Sequence, residues 1–129
     1  MLRSEGSYGM NLWLDNQGEY VGDFPKDRYY PDLTAAPSGV PVYGDSVWVG
    51  SWPEAQDQVP VDFKGAGYGG GNFPHSRGQF MGRFAIDRHA GGINLGFADG
   101  HASRVRVKEL WAVEWHKDLV PNHNVKIPR

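Results

Sequence analysis

The chain contains no cysteine. That excludes disulfide frameworks and thiolate metal sites, and it leaves the redox compartment open. No apolar run approaches the ~20 residues of a membrane-spanning helix, and no signal peptide opens the sequence, so this stretch is expected to make no membrane contact. An excess of charge is also missing. Thirteen Lys and Arg face fifteen Asp and Glu, for a net charge of −2. The basic footprint of a nucleic-acid binder is therefore absent, and no nucleic-acid partner is expected. Long periodic segments are scarce in the first half, where Pro25, Pro31, Pro37 and Pro41 interrupt any long helix or central strand.

What is present is glycine and aromatic surface. Glycine supplies 18 of the 129 residues, aromatics 13%, and five of them are Trp. Glycine favours turns, while Trp and Tyr bring large areas to bury. With 40% hydrophobic and 22% charged residues, the composition is that of one folded domain over 1–129 rather than a disordered chain. A loop-rich fold pinned by aromatic anchors also suits a carbohydrate-binding module.

Coarse patterning gives an α+β expectation. Tyr8, Met10, Leu12 and Leu14 alternate with other residues, with Trp13 as the exception, as in one half-buried strand. Pro41-Val42-Tyr43 and Ser46 to Val49 read as short strands broken by Gly44-Asp45. Residues 65–72 hold five glycines and read as a loop. The last third is better ordered. Gly82 to Asp87, then Ile93-Leu95-Phe97, then Val105-Val107 alternate as three strands of an antiparallel meander. Lys108 to Lys117 has helical spacing of Leu110, Trp111, Val113 and Trp115. The expectation is a small antiparallel sheet, a C-terminal three-strand meander, a loop-rich N-terminal half and a short C-terminal helix.

Pleat parity selects the turn in this meander. Directly opposed residues share a face. A two-residue loop at Asp99-Gly100 would place Val105 opposite Asn94 and put the two apolar sets on opposite faces. A three-residue loop, Ala98-Asp99-Gly100, pairs Leu95 with Ser103 and Ile93 with Val105, so that one face is buried consistently. Gly100 then takes the left-handed conformation.

One motif stands out. His89 is followed by nine residues and then Asp99-Gly100. This stretch resembles the H-X9-DG motif of bacterial prepilin-like and pseudopilin-like proteins. Leu110-Trp111, Trp115-His116-Lys117, residues 6–11 and Asp45 to Trp48 resemble further parts of that group. The resemblance implies an exported α+β head that follows a leader and a long apolar helix. The present chain is then expected to be a segment lacking that helix. It also implies an extracytoplasmic location, a structural or assembly role, and identical or related pilin-like subunits as partners. An enzyme is not expected.

Read from the residues alone, His89 and Asp99 are not a catalytic pair. They sit in the loops before and after a strand of about seven residues, roughly 20 Å apart, whereas acid–base partners lie about 3 Å apart. Asp99-Gly100 is expected to be a turn, with the carboxylate accepting backbone N–H groups, and His89 to tether its own loop or a neighbouring segment.

Other candidates divide by chemistry. His75, His89, His101, His116 and His123 lack the i, i+4 spacing of a helical zinc pair, and no metal cofactor is expected. A metal-dependent hydrolase using His75, His89, His101 and Asp99 remains a third alternative. Asp15, Asp23 and Asp27, with Asn16 and Glu19, form an acidic stretch whose oxygen donors suit calcium, although the spacing matches no EF-hand. Gly69-Gly70-Gly71 lacks the Lys and helix of a phosphate loop. Ser46, Ser51 and Ser76 lack a nucleophile elbow. Trp48 and Trp52 are candidates for an interaction surface, either against another subunit or, in the second alternative, against a glycan.

Overall fold

The computed structural model describes residues 8–14, 28–30, 36–60, 62–64 and 77–126. Among these, five strands form one mixed sheet: β1 (Tyr8–Asn11), β2 (Pro41–Asp45), β3 (Gly50–Ser51), β4 (Gly92–Phe97) and β5 (Ala102–Arg106), in the order β3-β1-β2-β4-β5. The β1–β3 pair is parallel and the other pairs are antiparallel. Complete helical elements among the described residues are short 3-10 turns at Leu12–Leu14, Phe80–Arg83 and Val107–Ala112. The class is α+β.

The β4–β5 hairpin has the register that parity selects. Ile93 opposes Val105, Leu95 opposes Ser103, and Phe97 donates its N–H to His101 O at 2.8 Å. Gly100 closes the three-residue loop at φ +92. Ile93 and Leu95 are fully buried, so the burial of one strand face determines the register.

The rest of the expected meander is corrected. The segment before β4 is not a strand. Phe80–Arg83 is a 3-10 helix, and every residue from Phe80 to Ile86 is buried. Its backbone bonds run locally, with Ala85 N–H to Met81 O and Ile86 N–H to Phe84 O. A segment buried on all sides shows no stable alternation, and a short apolar run does not separate strand from helix. The neighbour of β4 is instead β2, with Tyr43 opposite Gly96 and Gly44 opposite Leu95. Pairing over some fifty residues leaves no local trace in sequence.

The C-terminal helix is shorter than its spacing suggests. Val107–Ala112 is 3-10, and Val113 is extended at ψ 145. Trp115 still reaches the core because its indole N–H donates to Leu110 O at 2.8 Å. The turn at Gly44-Asp45 is also corrected: β2 runs through both residues, and Ser46 to Val49 is a bent loop rather than a strand.

Strand β1 has the opposite facing from the alternation reading. Tyr8 and Met10 are exposed, whereas Gly9, Asn11 and Trp13 are buried. Gly9 lies against the 46–48 loop, where a Cβ would come within 2.5 Å of Trp48 O. Asn11 donates its amide N–H groups to Pro41 O and Trp115 O, both at 2.9 Å. Its Oδ1 accepts the Trp13 N–H. Parity defines two sets of residues, and tertiary hydrogen bonding selects which set is inside.

The core lies on one side of the sheet. Ile93 and Leu95 meet Phe80, Phe84, Trp111 and Trp115 there. Buried Trp N–H groups need acceptors. Trp13 donates to Pro53 O and Trp111 to Asp57 O, both at 2.8 Å. The other side of the sheet is open and carries Tyr8, Met10 and Tyr43.

Candidate functional site

The H-X9-DG residues occupy the two ends of β4 and take different partners. His89 lies in the turn before the strand, where its N–H and that of Arg88 donate to Gly92 O. Ala90 and Gly91 both have positive φ, 54 and 86, and the Gly91 N–H is accepted by Asp87 Oδ1 at 2.7 Å. This tight turn aims His89 back at β2. Its Nε2 lies 3.1 Å from Asp45 Oδ2. The same oxygen accepts the Asn94 N–H at 2.7 Å.

Asp45 lies on the open face by parity with Tyr43 but is only 1% exposed, and its Oδ1 is buried without a hydrogen-bond partner. Buried polar atoms are nearly always paired, so this carboxylate is held by one oxygen while His89 remains half-exposed. Sequence reasoning missed Asp45 as the partner of His89. No spacing rule links residues on different strands.

At the other end of β4, Asp99 Oδ1 accepts the His101 N–H at 3.0 Å and meets the His101 ring nitrogen Nδ1. These bonds hold the Asp99 carboxyl below its ordinary range. His101 also stacks on Phe97, with ring centroids 4.5 Å apart and planes within 6°. Asp99 and Gly100 therefore terminate the hairpin, and His89 joins its other end to β2.

Of the remaining candidates, only part falls within the described residues. Asp15, Asp23, Asp27, Asn16, Glu19, His75, Ser76 and Gly69 to Gly71 lie outside the described residues. Among the described residues, no group of three His, Cys, Asp or Glu is placed to hold a metal ion. Ser46 and Ser51 are buried and donate to Arg83 O and Phe80 O. Trp52 packs on Phe80 at 5.4 Å between ring centroids. Trp48 is 53% exposed, with the Arg83 guanidinium 5.9 Å from its ring.

Two buried carboxylates sit behind the core. Glu54 is paired with Arg28 and Arg77. Asp57 Oδ2 accepts the N–H groups of Glu54 and Met81, each at 2.9 Å. Burial pushes the Asp57 carboxyl up to about 7, against the lowering effect of those two N–H groups.

The open face of the sheet holds a cleft of about 380 Å³, lined by Tyr8, Tyr43, Asn94, Gly96, Ser103 and Arg104 among others. Tyr8 and Tyr43 meet edge to face at 5.9 Å. Arg104 Nη1 donates to His89 O and Ala90 O, both at 3.3 Å, and so ties the cleft wall to the motif's first turn. The signal for this site was available: the same parity that buries Ile93 and Leu95 puts Asn94, Gly96, Ala102 and Arg104 together on the other face.

Comparisons with protein-family models, curated proteins and solved structures return no match to this chain.

Proposed function

We propose that this chain is the globular head of a prepilin-like or pseudopilin-like structural subunit, located outside the cytoplasmic membrane in an envelope filament or a type II secretion-like apparatus. Its partners are identical or related subunits. The supporting observation is the construction of the H-X9-DG hairpin. Its His clamps one end of β4 to β2 through Asp45, and its Asp-Gly forms the turn at the other end. Each motif residue thus has a mechanical task, as suits a scaffold that carries load through its sheet.

An assembly subunit also needs surface for neighbours. Tyr8, Met10, Trp48 and Val49 are large exposed hydrophobic residues, and grouped exposed apolar side chains mark interaction surfaces. Trp48 and Val49 lie in the loop between β2 and β3, fastened from below by Arg83 and Ser46.

The test uses the absence of cysteine. Val49→Cys in the full-length gene product, with any cysteine outside these 129 residues replaced by serine, introduces a single thiol at a site 73% exposed. In the native host the protein is expected in the sheared surface fraction, with a thiol cross-linker joining it to a copy of itself or to another pilin-like chain. Recovery only from the cytosol, with no cross-link at that position, would refute the assignment.

A further inference from the structure

We propose that the cleft on the open face of the sheet binds a sugar: a hexopyranose ring of a neutral, β-linked polysaccharide, laid against Tyr43 and held at its hydroxyls by Asn94 and Arg104. This goes beyond an assembly role and does not depend on it.

The cleft depends on a glycine. Tyr43 opposes Gly96 across the β2–β4 ladder. A Cβ on Gly96 would lie 2.3 Å from Tyr43 Cε1 and 2.4 Å from its Cζ. The ring therefore leans across β4 over bare backbone instead of standing off the sheet. Glycine weakens a strand interior, and its presence there marks a close approach. The outward side of the ring stays open, with Tyr43 43% exposed. Tyr8 meets it edge-on, which restrains the ring from the side and leaves its face available.

An aromatic face carries partial negative charge. A β-hexopyranose with equatorial hydroxyls presents axial C–H groups on a flat face, and these carry the opposite partial charge. Its rim, by contrast, is a ring of hydroxyls that need both donors and acceptors. The cleft supplies both. The Asn94 side-chain amide offers each kind and has no hydrogen bond among the described residues, the bond to Asp45 being made by its backbone N–H. Arg104 commits one nitrogen to the carbonyls of His89 and Ala90 and retains further N–H donors on a guanidinium held in place.

The same polar groups disfavour a purely aliphatic partner, which would leave them unpaired. One cation among the described lining residues, with the Asp45 carboxylate bonded to the Asn94 N–H below, does not suit a polyanion, which needs several. The volume of about 380 Å³ falls in the range of small-ligand sites.

The experiment is a titration of the ¹⁵N-labelled chain with three probes followed by amide shifts: cellohexaose, chitohexaose and an oligogalacturonate. A neutral probe is expected to give saturable shifts at Asn94, Gly96 and Arg104. Tyr43→Ala is expected to weaken that binding about tenfold or more, and Tyr43→Trp to retain it. Asn94→Ala gives an independent check, because the bond to Asp45 comes from the backbone and the fold is preserved. It should weaken binding severalfold, with amides outside the cleft unmoved.

Several results would overturn the proposal. They are no saturable shift with either neutral probe, binding of the galacturonate alone, or affinity unchanged in both Tyr43→Ala and Asn94→Ala. Concentration-dependent shifts of the same amides without sugar would also overturn it, and would assign the face to a second copy of the chain. None of these bears on surface localisation or on cross-linking at residue 49, so failure here is distinguishable from failure of the assembly role.

Discussion

Replacing Gly100 separates backbone strain from every other contribution at the hairpin turn. Gly100 has φ +92, and a Cβ built there meets nothing within 4 Å. The Cβ of Gly100→Val therefore enters open space, and the cost counted here is conformational. A β-branched residue in a sparsely populated region costs about 1–3 kcal/mol. The stiffer unfolded chain returns about 0.4–1 kcal/mol of this. The net loss is about 1–2 kcal/mol. At a urea dependence of about 1–3 kcal/mol per molar, the unfolding midpoint moves down by roughly 1 M with an unchanged slope, because the area exposed is the same.

Asp99→Asn is the comparison. Asn retains an acceptor for the His101 N–H bond that Asp99 Oδ1 now receives, and Asn tolerates turn geometry, so the loss is smaller. The folded Asp99 carboxyl lies below its ordinary 3.8. Its contribution is therefore present above that value and lost as pH falls through the folded pKa. Asp99→Asn should flatten that acid limb and leave stability near neutral pH almost unchanged. Both variants should be insensitive to zinc and calcium. If Asp99→Asn proved worse than Gly100→Val, and metal stabilised the wild type but not Asp99→Asn, the turn would be a ligand site and the mechanical account would fail.

Other outcomes follow from the same structure. His89→Ala and Asp99→Ala should be additive within about 0.5 kcal/mol in a double-mutant cycle, since the two residues share no partner; a larger coupling term would mean that they act as a pair. Asn11→Leu leaves the carbonyls of Pro41 and Trp115 without their buried donor and should cost about 2–4 kcal/mol by urea unfolding, so a neutral result would contradict the inverted facing of β1. Ala90→Gly relieves a left-handed residue at φ 54 and should raise stability by up to about 1 kcal/mol, measurable as a higher midpoint. The folded Asp57 carboxyl is raised from 3.8 to about 7. Its stabilising contribution is complete below 3.8 and is lost as pH rises through 7. Asp57→Asn should therefore gain on the wild type across that interval. The burial-lowered His116 acts in the opposite direction, losing its contribution as pH falls below 6.5, so the difference between Asp57→Asn and wild type isolates the carboxyl. The absence of any pH-dependent gain would refute the assignment to Asp57.

By itself, the sequence determined what is local and periodic. The register of β4 on β5, the three-residue loop and the left-handed Gly100 were legible because a period-2 pattern allows only one loop length that buries both apolar sets together. The turn chemistry of Asp99 was legible because it involves a residue two positions away. Parity also divided β4 and β5 into a core set and an open set, which contains Asn94, Gly96 and Arg104.

Tertiary structure decided everything that joins distant parts of the chain. Alternation in residues 8–14 defined two sets but not the inner one. Asn11 chose it by reaching Pro41 O and Trp115 O, because a buried polar group with all its bonds made outweighs exposed Tyr8 and Met10. The run from Phe80 to Ile86 became a buried segment that opens on a 3-10 turn because it is enclosed on every side, where alternation has no meaning. Asp45 became the partner of His89, and Tyr43 the roof over Gly96, only when β2 came to lie beside β4. A hydrogen bond or a ring contact depends on distance in space, and the sequence records distance only along the chain.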